Sequence, residues 1–232
     1  MNAVQQVGED LWCVTAGSFP ANSYIVRDGS PEGVVLIDVG LDPQAVQDAL
    51  TTLHLRPSAV YCTHGHFDHI GGAAFFQRRY GIPVFLHHDD VKTAKSNNFL
   101  LMLLKSSERI EVPDCSLVTD RFEADIGDRT LRYSHAPGHT PGSCLISFGG
   151  YLFTGDTVYA RSISLAKTAG EKPDQLRETI LRYWDMLGEF TVYPGQGPSA
   201  PGSQVQAGNR ALRAFLGLDP VDGIAVAANR QV

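Results

Sequence analysis

Short apolar runs open the chain and set its first elements. Residues 11–15, 23–27 and 33–39 are rich in β-branched and aliphatic side chains, and turn chemistry separates the second from the third at Asp28-Gly29 and Pro31. The pattern predicts three consecutive strands. At Asp42-Pro43 the period changes. Aspartate is a preferred N-cap and proline suits the first helical position. Ala45, Val46, Ala49, Leu50 and Leu53 then fall on one helical face. Residues 58–62 predict a short buried strand. A helix is predicted from about residue 70 to residue 80, closed by Gly81 as its C′ residue, and a strand at 83–86. A helical insert follows near residues 89–107. Beyond it the pattern predicts strands at 130–134, 144–148 and 151–154, a helix at 173–187, a strand at 190–193 and a last helix at 203–216. Two packed sheets, each covered by helices, satisfy these faces, an α+β arrangement. No linker divides the 232 residues, which are read as one domain over 1–232.

Charge and composition narrow the function. The net charge is −6, from 19 Lys and Arg against 25 Asp and Glu, and no basic run occurs. A nucleic-acid partner is therefore not expected. No apolar run approaches the length of a membrane span. The longest, Phe99-Leu100-Leu101-Met102-Leu103-Leu104, is read as a buried helix turn. An apolar wall over an active site, or a dimer contact, is the sharper alternative. The opening stretch Met1-Asn2-Ala3-Val4-Gln5-Gln6 lacks the basic and apolar regions of a signal peptide. Cys13, Cys62, Cys115 and Cys144 are dispersed and form no CxxC pair. They are expected to be free thiols, and the protein cytoplasmic.

One segment does not fit packing at all. Thr63-His64-Gly65-His66-Phe67-Asp68-His69 follows a predicted strand directly. Buried polar groups without partners are costly. The partner that suits clustered imidazoles and a carboxylate is a divalent transition metal. In extended backbone His64 and His66 share a face. Asp68 continues the spacing, and His69 breaks it and can turn toward a neighbouring ion. Solvated or capping loop residues are the bland alternative, and the density of the motif argues against it.

This motif resembles the His-x-His-x-Asp-His signature of the metallo-β-lactamase fold superfamily. Ala136-Pro137-Gly138-His139-Thr140-Pro141-Gly142-Ser143 and Phe153-Thr154-Gly155-Asp156-Thr157 are similar to its second and third motifs. The nearest flavour is the short, glyoxalase II-like branch, matched from about Asn22 to Pro198. The resemblance implies an αββα four-layer sandwich with metals at one edge between the sheets. It implies a first metal site of His64, His66 and His139, a second containing Asp68 and His69, and Asp156 touching both. Asp38 matches a position that hydrogen-bonds a ligand imidazole, which fixes its tautomer. His135 is read as a partly buried strand histidine rather than a ligand.

The chain departs from the family at Tyr193-Pro194-Gly195-Gln196-Gly197-Pro198. Gln196 stands where the family usually has a histidine, and no histidine follows His139. An amide oxygen is a weaker, harder donor than imidazole. The expectation is one tight Zn²⁺ with a second ion weak or absent, Gln196 being its weak ligand. Fe²⁺ or Mn²⁺ are the alternatives.

The resemblance implies a hydrolase acting on a small-molecule substrate with an activated acyl bond, a thioester or lactone ahead of a β-lactam. A bound divalent ion lowers the pKa of water to about 7, and Asp68 would orient that water or take its proton. Tyr159 matches a tyrosine that contacts substrate in the superfamily's homoserine-lactone hydrolases, although taken alone it reads as a packing aromatic. Ser162-Ile163-Ser164-Leu165-Ala166-Lys167 replaces a Gly-Arg-Thr-Asp stretch of the glyoxalase-like branch. The stretch after Pro198 is too short for the helical domain that helps hold glutathione, so a glutathione thioester is disfavoured. A homodimer stays open. The rival readings are an iron-dependent, persulfide dioxygenase-like redox enzyme and a degenerate, non-catalytic metal-binding member. Phosphodiester cleavage is disfavoured by the acidic charge.

Overall fold

A computed structural model describes residues 4–165 and 170–218. Residues 1–3 of the opening stretch, Ala166 and Lys167 of the divergent segment, and the end of the predicted domain beyond 218 lie outside the described residues.

The first half of the chain builds one sheet. Its strands are β1 (Gln5–Gly8), β2 (Leu11–Ala16), β3 (Ala21–Arg27), β4 (Gly33–Ile37), β5 (Arg56–Tyr61), β6 (Val84–His87) and β7 (Cys115–Val118), paired in that order. The first four are antiparallel, and β4 to β7 are parallel. Helices α1 (Pro43–Leu53), α2 (Phe67–Ile70), α3 (Ala73–Tyr80) and α4 (Val91–Leu103) make its connections. The second sheet contains β8 (Glu123–Ile126), β9 (Arg129–His135), β10 (Cys144–Phe148), β11 (Tyr151–Gly155), β12 (Thr191–Pro194) and β13 (Ala200–Pro201). Its order is β13-β12-β11-β10-β9-β8. Helices α5 (Pro173–Arg182), α6 (Trp184–Glu189), α7 (Gly202–Gly208) and α8 (Arg210–Leu216) follow or interleave.

Alternation within the strands separates three apolar layers. Ile25 and Leu36 pack outward with Val46, Leu50, Phe76 and Leu101 of the helices. Their strand neighbours Val26 and Ile37 point the other way, onto Leu131, Ile146 and Phe153 of the second sheet. Leu145 and Leu152 turn from that middle layer toward Leu176, Ile180, Leu187, Val205 and Leu212. Side chains in a strand alternate between faces, so each central strand serves two cores. Three cores between four layers make the expected αββα sandwich.

Local chemistry places most element ends as predicted. Asp42 caps α1 by accepting from the Ala45 amide at 3.1 Å, with Pro43 at the first helical position. Gly81 ends α3 in the left-handed region. Three predicted helices are broken, however. Gly71-Gly72 separates α2 from α3: the Gly72 amide donates to the Val39 carbonyl at 3.0 Å instead of continuing the helix, and a Cβ at Gly72 would meet the Gly40 carbonyl oxygen at 2.5 Å. The helix predicted over 173–187 breaks at Tyr183, and the last helix at Asn209, whose side chain caps α8 through the Leu212 amide. The short, polar strands β1, β7, β8 and β13 carry too little apolar pattern to be read from sequence.

The apolar run in α4 is also corrected. Leu101 alone is fully buried, whereas Phe99 and Leu103 are 59% and 60% exposed. Cys62 and Cys144 are buried and Cys13 and Cys115 half-buried, all four as free thiols. Among the described residues no helix is long and apolar enough to cross a membrane.

Candidate metal centre

The ends of β5, β9 and β11 deliver the sequence-predicted donors to one rim of the sandwich. His64 follows β5 in a tight turn and His66 sits at the N-terminus of α2 in extended conformation. Asp68 and His69 lie on the single turn of α2, so the predicted extended spacing stops at His66. His139 arrives on the loop between β9 and β10, and Asp156 directly after β11. All six are buried.

Their donor atoms converge. His66 Nδ1 lies 3.0 Å from His139 Nε2. Asp156 presents Oδ2 at 3.7 Å from His139 Nε2 and Oδ1 at 3.4 Å from His69 Nε2. Asp68 Oδ2 is 3.6 Å from His69 Nε2. Donors of His64, His66 and His139 fall within 4.8 Å of one another, as do those of His64, His69 and Asp156. Ligands bound tetrahedrally at about 2.0–2.1 Å stand roughly 3.3 Å apart, so these spacings fit shared cations. His64 Nε2, His69 Nε2 and Asp156 Oδ1 are buried without hydrogen-bond partners. Orphaned buried polar atoms call for an explanation, and a metal ion among them supplies it.

Asp38 organises two of these rings. It holds a positive φ of 55° at the end of β4, a conformation rare outside glycine. Its Oδ1 accepts from the Thr63 amide at 2.7 Å, and its Oδ2 from the Thr63 hydroxyl at 2.7 Å and from His69 Nδ1 at 2.8 Å. The Thr63 hydroxyl donates its one hydrogen to Asp38, so its oxygen accepts from His64 Nδ1 at 3.1 Å. Both imidazoles are thereby turned with Nε2 into the centre.

The two flanks of the centre titrate in opposite directions. Burial, reinforced by the neighbouring imidazoles, holds His64 well below its usual value. Burial and His139 push His66 down to about 3. These rings are neutral, as metal ligands must be. Burial opposes charge on His69 as well, but Asp156, Asp68 and Asp38 outweigh it and raise that ring well above the ordinary range. Burial, aided by Asp156, raises Asp68. Asp156 is buried too, yet His69 keeps it below the usual carboxylate range.

Gln196 does reach the centre, but with its amide nitrogen: Nε2 donates to Asp68 Oδ2 at 3.1 Å. Its turn is tethered from the first sheet. Asn22 Nδ2 donates to the Pro194 and Gly197 carbonyls at 3.0 and 2.8 Å. Gly195 is required here, since a Cβ would meet His69 Cε1 at 2.4 Å and Asp156 Oδ1 at 2.5 Å. Tyr159 is buried, and its hydroxyl lies against Asp156. Burial and that carboxylate push the phenol well above its usual value. His135 stays outside the centre, half-buried at the end of β9 and stacked on His87.

Two carboxylates escaped the sequence reading. Asp90 is fully buried and accepts from the Gly65 amide at 2.6 Å, the Thr140 hydroxyl at 2.7 Å and the Gly142 amide at 2.8 Å. It clips the His64 and His139 loops together. Glu171 places Oε1 3.6 Å from His139 Nδ1. Nothing in the sequence distinguishes Asp90 from Asp89, or Glu171 from other loop acids.

The sequence profile described as the metallo-beta-lactamase superfamily matches residues 16–220. The chain belongs to this superfamily. A hydroxyacylglutathione hydrolase of Anaeromyxobacter dehalogenans is 34% identical over 181 residues, covering 77% of this chain. The chain spans only 62% of that relative's length. A crystal structure of TTHA1623 in a di-iron-bound form superposes with a TM-score of 0.76 at 27% identity, over 85% of this chain and 98% of the other. The BLEG-1 B3 metallo-beta-lactamase superposes at 0.77 and 26%, over 87% and 99%. The chain thus has the fold of this metallo-hydrolase superfamily and carries a cluster of His and Asp donors able to hold metal.

Proposed function

We propose that this chain is a metal-dependent hydrolase of an activated acyl bond, a thioester or lactone of a small molecule. The observation that carries the reading is the set of buried, unpartnered donor atoms of His64, His69 and Asp156, closed by His66 and His139. His64, His66, His139 and Asp156 would hold a tight Zn²⁺, and Asp68, His69 and Asp156 a weaker second ion. The same donors suit Fe²⁺ or Mn²⁺. A divalent ion there would supply Lewis acidity, acidifying water and taking up negative charge from the substrate carbonyl.

The chain's own groups do the rest. Asp68, with its carboxyl raised by burial, is suited to take the proton of the attacking water and return it to the leaving thiolate or alkoxide. The Gln196 amide orients Asp68 by donating to Oδ2, which leaves Oδ1 for the water. This amide serves as a positioning group rather than as the oxygen ligand expected from sequence. Tyr159 offers a hydroxyl that lies against Asp156 and would donate to the substrate carbonyl once it turns from that carboxylate.

The test is metal stoichiometry on the purified protein alongside a panel of thioester, lactone and β-lactam substrates. One tightly held ion and turnover of a thioester or lactone are expected. A metal-free protein of full activity, or a metal-loaded one inert on the whole panel, would overturn the reading.

A further inference from the structure

Helix α4 carries its large apolar side chains on the outside. Its buried side is Ala94, Asn97 and Leu101. Lys92, Lys95, Ser96, Phe99, Met102 and Leu103 recur at three- and four-residue intervals, which sets them on one stripe opposite that side. All six are exposed. Phe99, Met102 and Leu103, with Leu104 just past the helix end, are four of the six large apolar side chains exposed among the described residues. A surface helix ordinarily turns such residues inward, and a contiguous exposed patch of them marks an interaction site.

The charges along the stripe are positive. Residues 91–109 hold four of the chain's 19 Lys and Arg and one of its 25 Asp and Glu. Lys92, Lys95, Lys105 and Arg109 are all exposed. Among the described residues no carboxylate pairs with the three lysines, and Arg109 donates only to the Ser106 and Glu108 carbonyls. The one carboxylate, Glu108, accepts from the Ser18 hydroxyl at 2.8 Å. Asp89, before the helix, lies against His88 at 3.3 Å. An apolar ridge flanked by unpaired cations, on a chain of net charge −6, is complementary to an acidic surface.

We propose that the outer stripe of α4 docks the protein on an anionic phospholipid bilayer. Phe99, Met102, Leu103 and Leu104 enter the boundary between headgroups and acyl chains, and Lys92, Lys95, Lys105 and Arg109 meet the lipid phosphates and carboxylates. A second copy on the stripe would set cation against cation whichever way the two helices ran, which disfavours it. Four half-exposed side chains also offer only a few hundred Å² of apolar surface, short of the roughly 800 Å² per partner in a specific protein interface. A bilayer asks for neither that area nor a matching shape. Nor is the stripe a wall over the metal centre. Asn97, on the opposite side of the helix, donates through Nδ2 to the Gly65 carbonyl at 2.8 Å, so the stripe faces away from the His64 loop. Docking would hold that loop one helix thickness, roughly 10 Å, from the lipid. The docking itself does not rest on the hydrolase reading.

The test is flotation of the full chain with vesicles of phosphatidylserine and phosphatidylcholine in equal parts. The protein should float with these, stay behind with pure phosphatidylcholine, and be released as salt is raised. Phe99→Ser with Leu103→Ser, and separately Lys92→Glu with Lys95→Glu, should each lower the bound fraction at least about tenfold, since insertion and attraction act together. All four positions are exposed, and circular dichroism and thermal melting check that the fold is kept. Lys92→Arg with Lys95→Arg should float as the wild type does. A wild-type protein that stays behind with both vesicles, or flotation unmoved by both disruptive pairs, overturns the proposal. So does a wild-type dimer in light scattering that Phe99→Ser with Leu103→Ser converts to monomer, which would give the stripe to a second copy. The readout needs no substrate, so its failure leaves the hydrolase reading standing.

Discussion

The two flanks of the metal centre hold their donors by different means. On one flank His64, His66 and His139 are buried imidazoles, and burial drives His64 and His66 to the neutral state. His66 Nδ1 and His139 Nε2 stand 3.0 Å apart, and His64 Nε2 is buried with no hydrogen-bond partner. On the other, His69 faces Asp156, Asp68 and Asp38, and Gln196 donates to Asp68. The Gln196 amide already donates to one of these carboxylates, while His69 Nε2 and Asp156 Oδ1 are buried without a hydrogen-bond partner. Both flanks therefore call for an ion, but on the second the Gln196 amide already occupies one carboxylate oxygen. One residue accounts for much of the difference, because an imidazole at 196 would add a donor where the amide contributes a hydrogen.

The strongest way to break this contrast is His139→Ala. It removes a donor from the all-imidazole flank, and should cost the tight ion and at least about a hundredfold in acyl hydrolysis, beyond the range for outer partners. Metal analysis with turnover on the best substrate checks it. Unchanged metal content would refute the assignment of the first flank. Asp38→Asn comes next. It weakens the link that orients both His64 and His69, and should loosen metal affinity by about 10–100-fold in chelator competition, with the fold monitored by thermal melting.

Gln196→His sharpens the contrast from the other side. It should tighten the second ion by roughly tenfold or more, as expected when a ligand set is completed, and move the metal count toward two per chain. Equal counts in both forms would sink the view of Gln196 as the residue that sets the difference. The smallest effect is expected from Tyr159→Phe. Loss of one hydrogen bond to a charged group, about 1.5 kcal/mol, should lower kcat by about tenfold with metal content unchanged. No change in kcat would return Tyr159 to a packing role.

Legibility followed local chemistry. Asp42-Pro43 and Gly81 declared the ends of α1 and α3, since capping depends on a few adjacent residues. The breaks at Gly71-Gly72 and Asn209 were not declared. Each depends on what the chain meets elsewhere: the Val39 carbonyl, bonded by the Gly72 amide, in one case, and the carbonyls of Tyr159 and Ser162, bonded by Asn209 Nδ2, in the other. The α4 run shows the same limit. Its six apolar residues look alike in sequence, yet only Leu101 is fully buried in the core, with Leu100 packed at its edge.

The sequence by itself determined the donors and their order, because a chain that gathers His64, His66, Asp68 and His69 within six positions, with His139 and Asp156 beyond, needs a cation to offset their burial. It also carried the alternation that separates three apolar layers. Only the tertiary structure decided which nitrogen each ring turns inward, that Gln196 offers a hydrogen instead of an oxygen, and that Asp90 and Asp38 fasten the loops. Those choices rest on hydrogen bonds between groups far apart in the chain, whose partners exist only once both sheets have closed on each other.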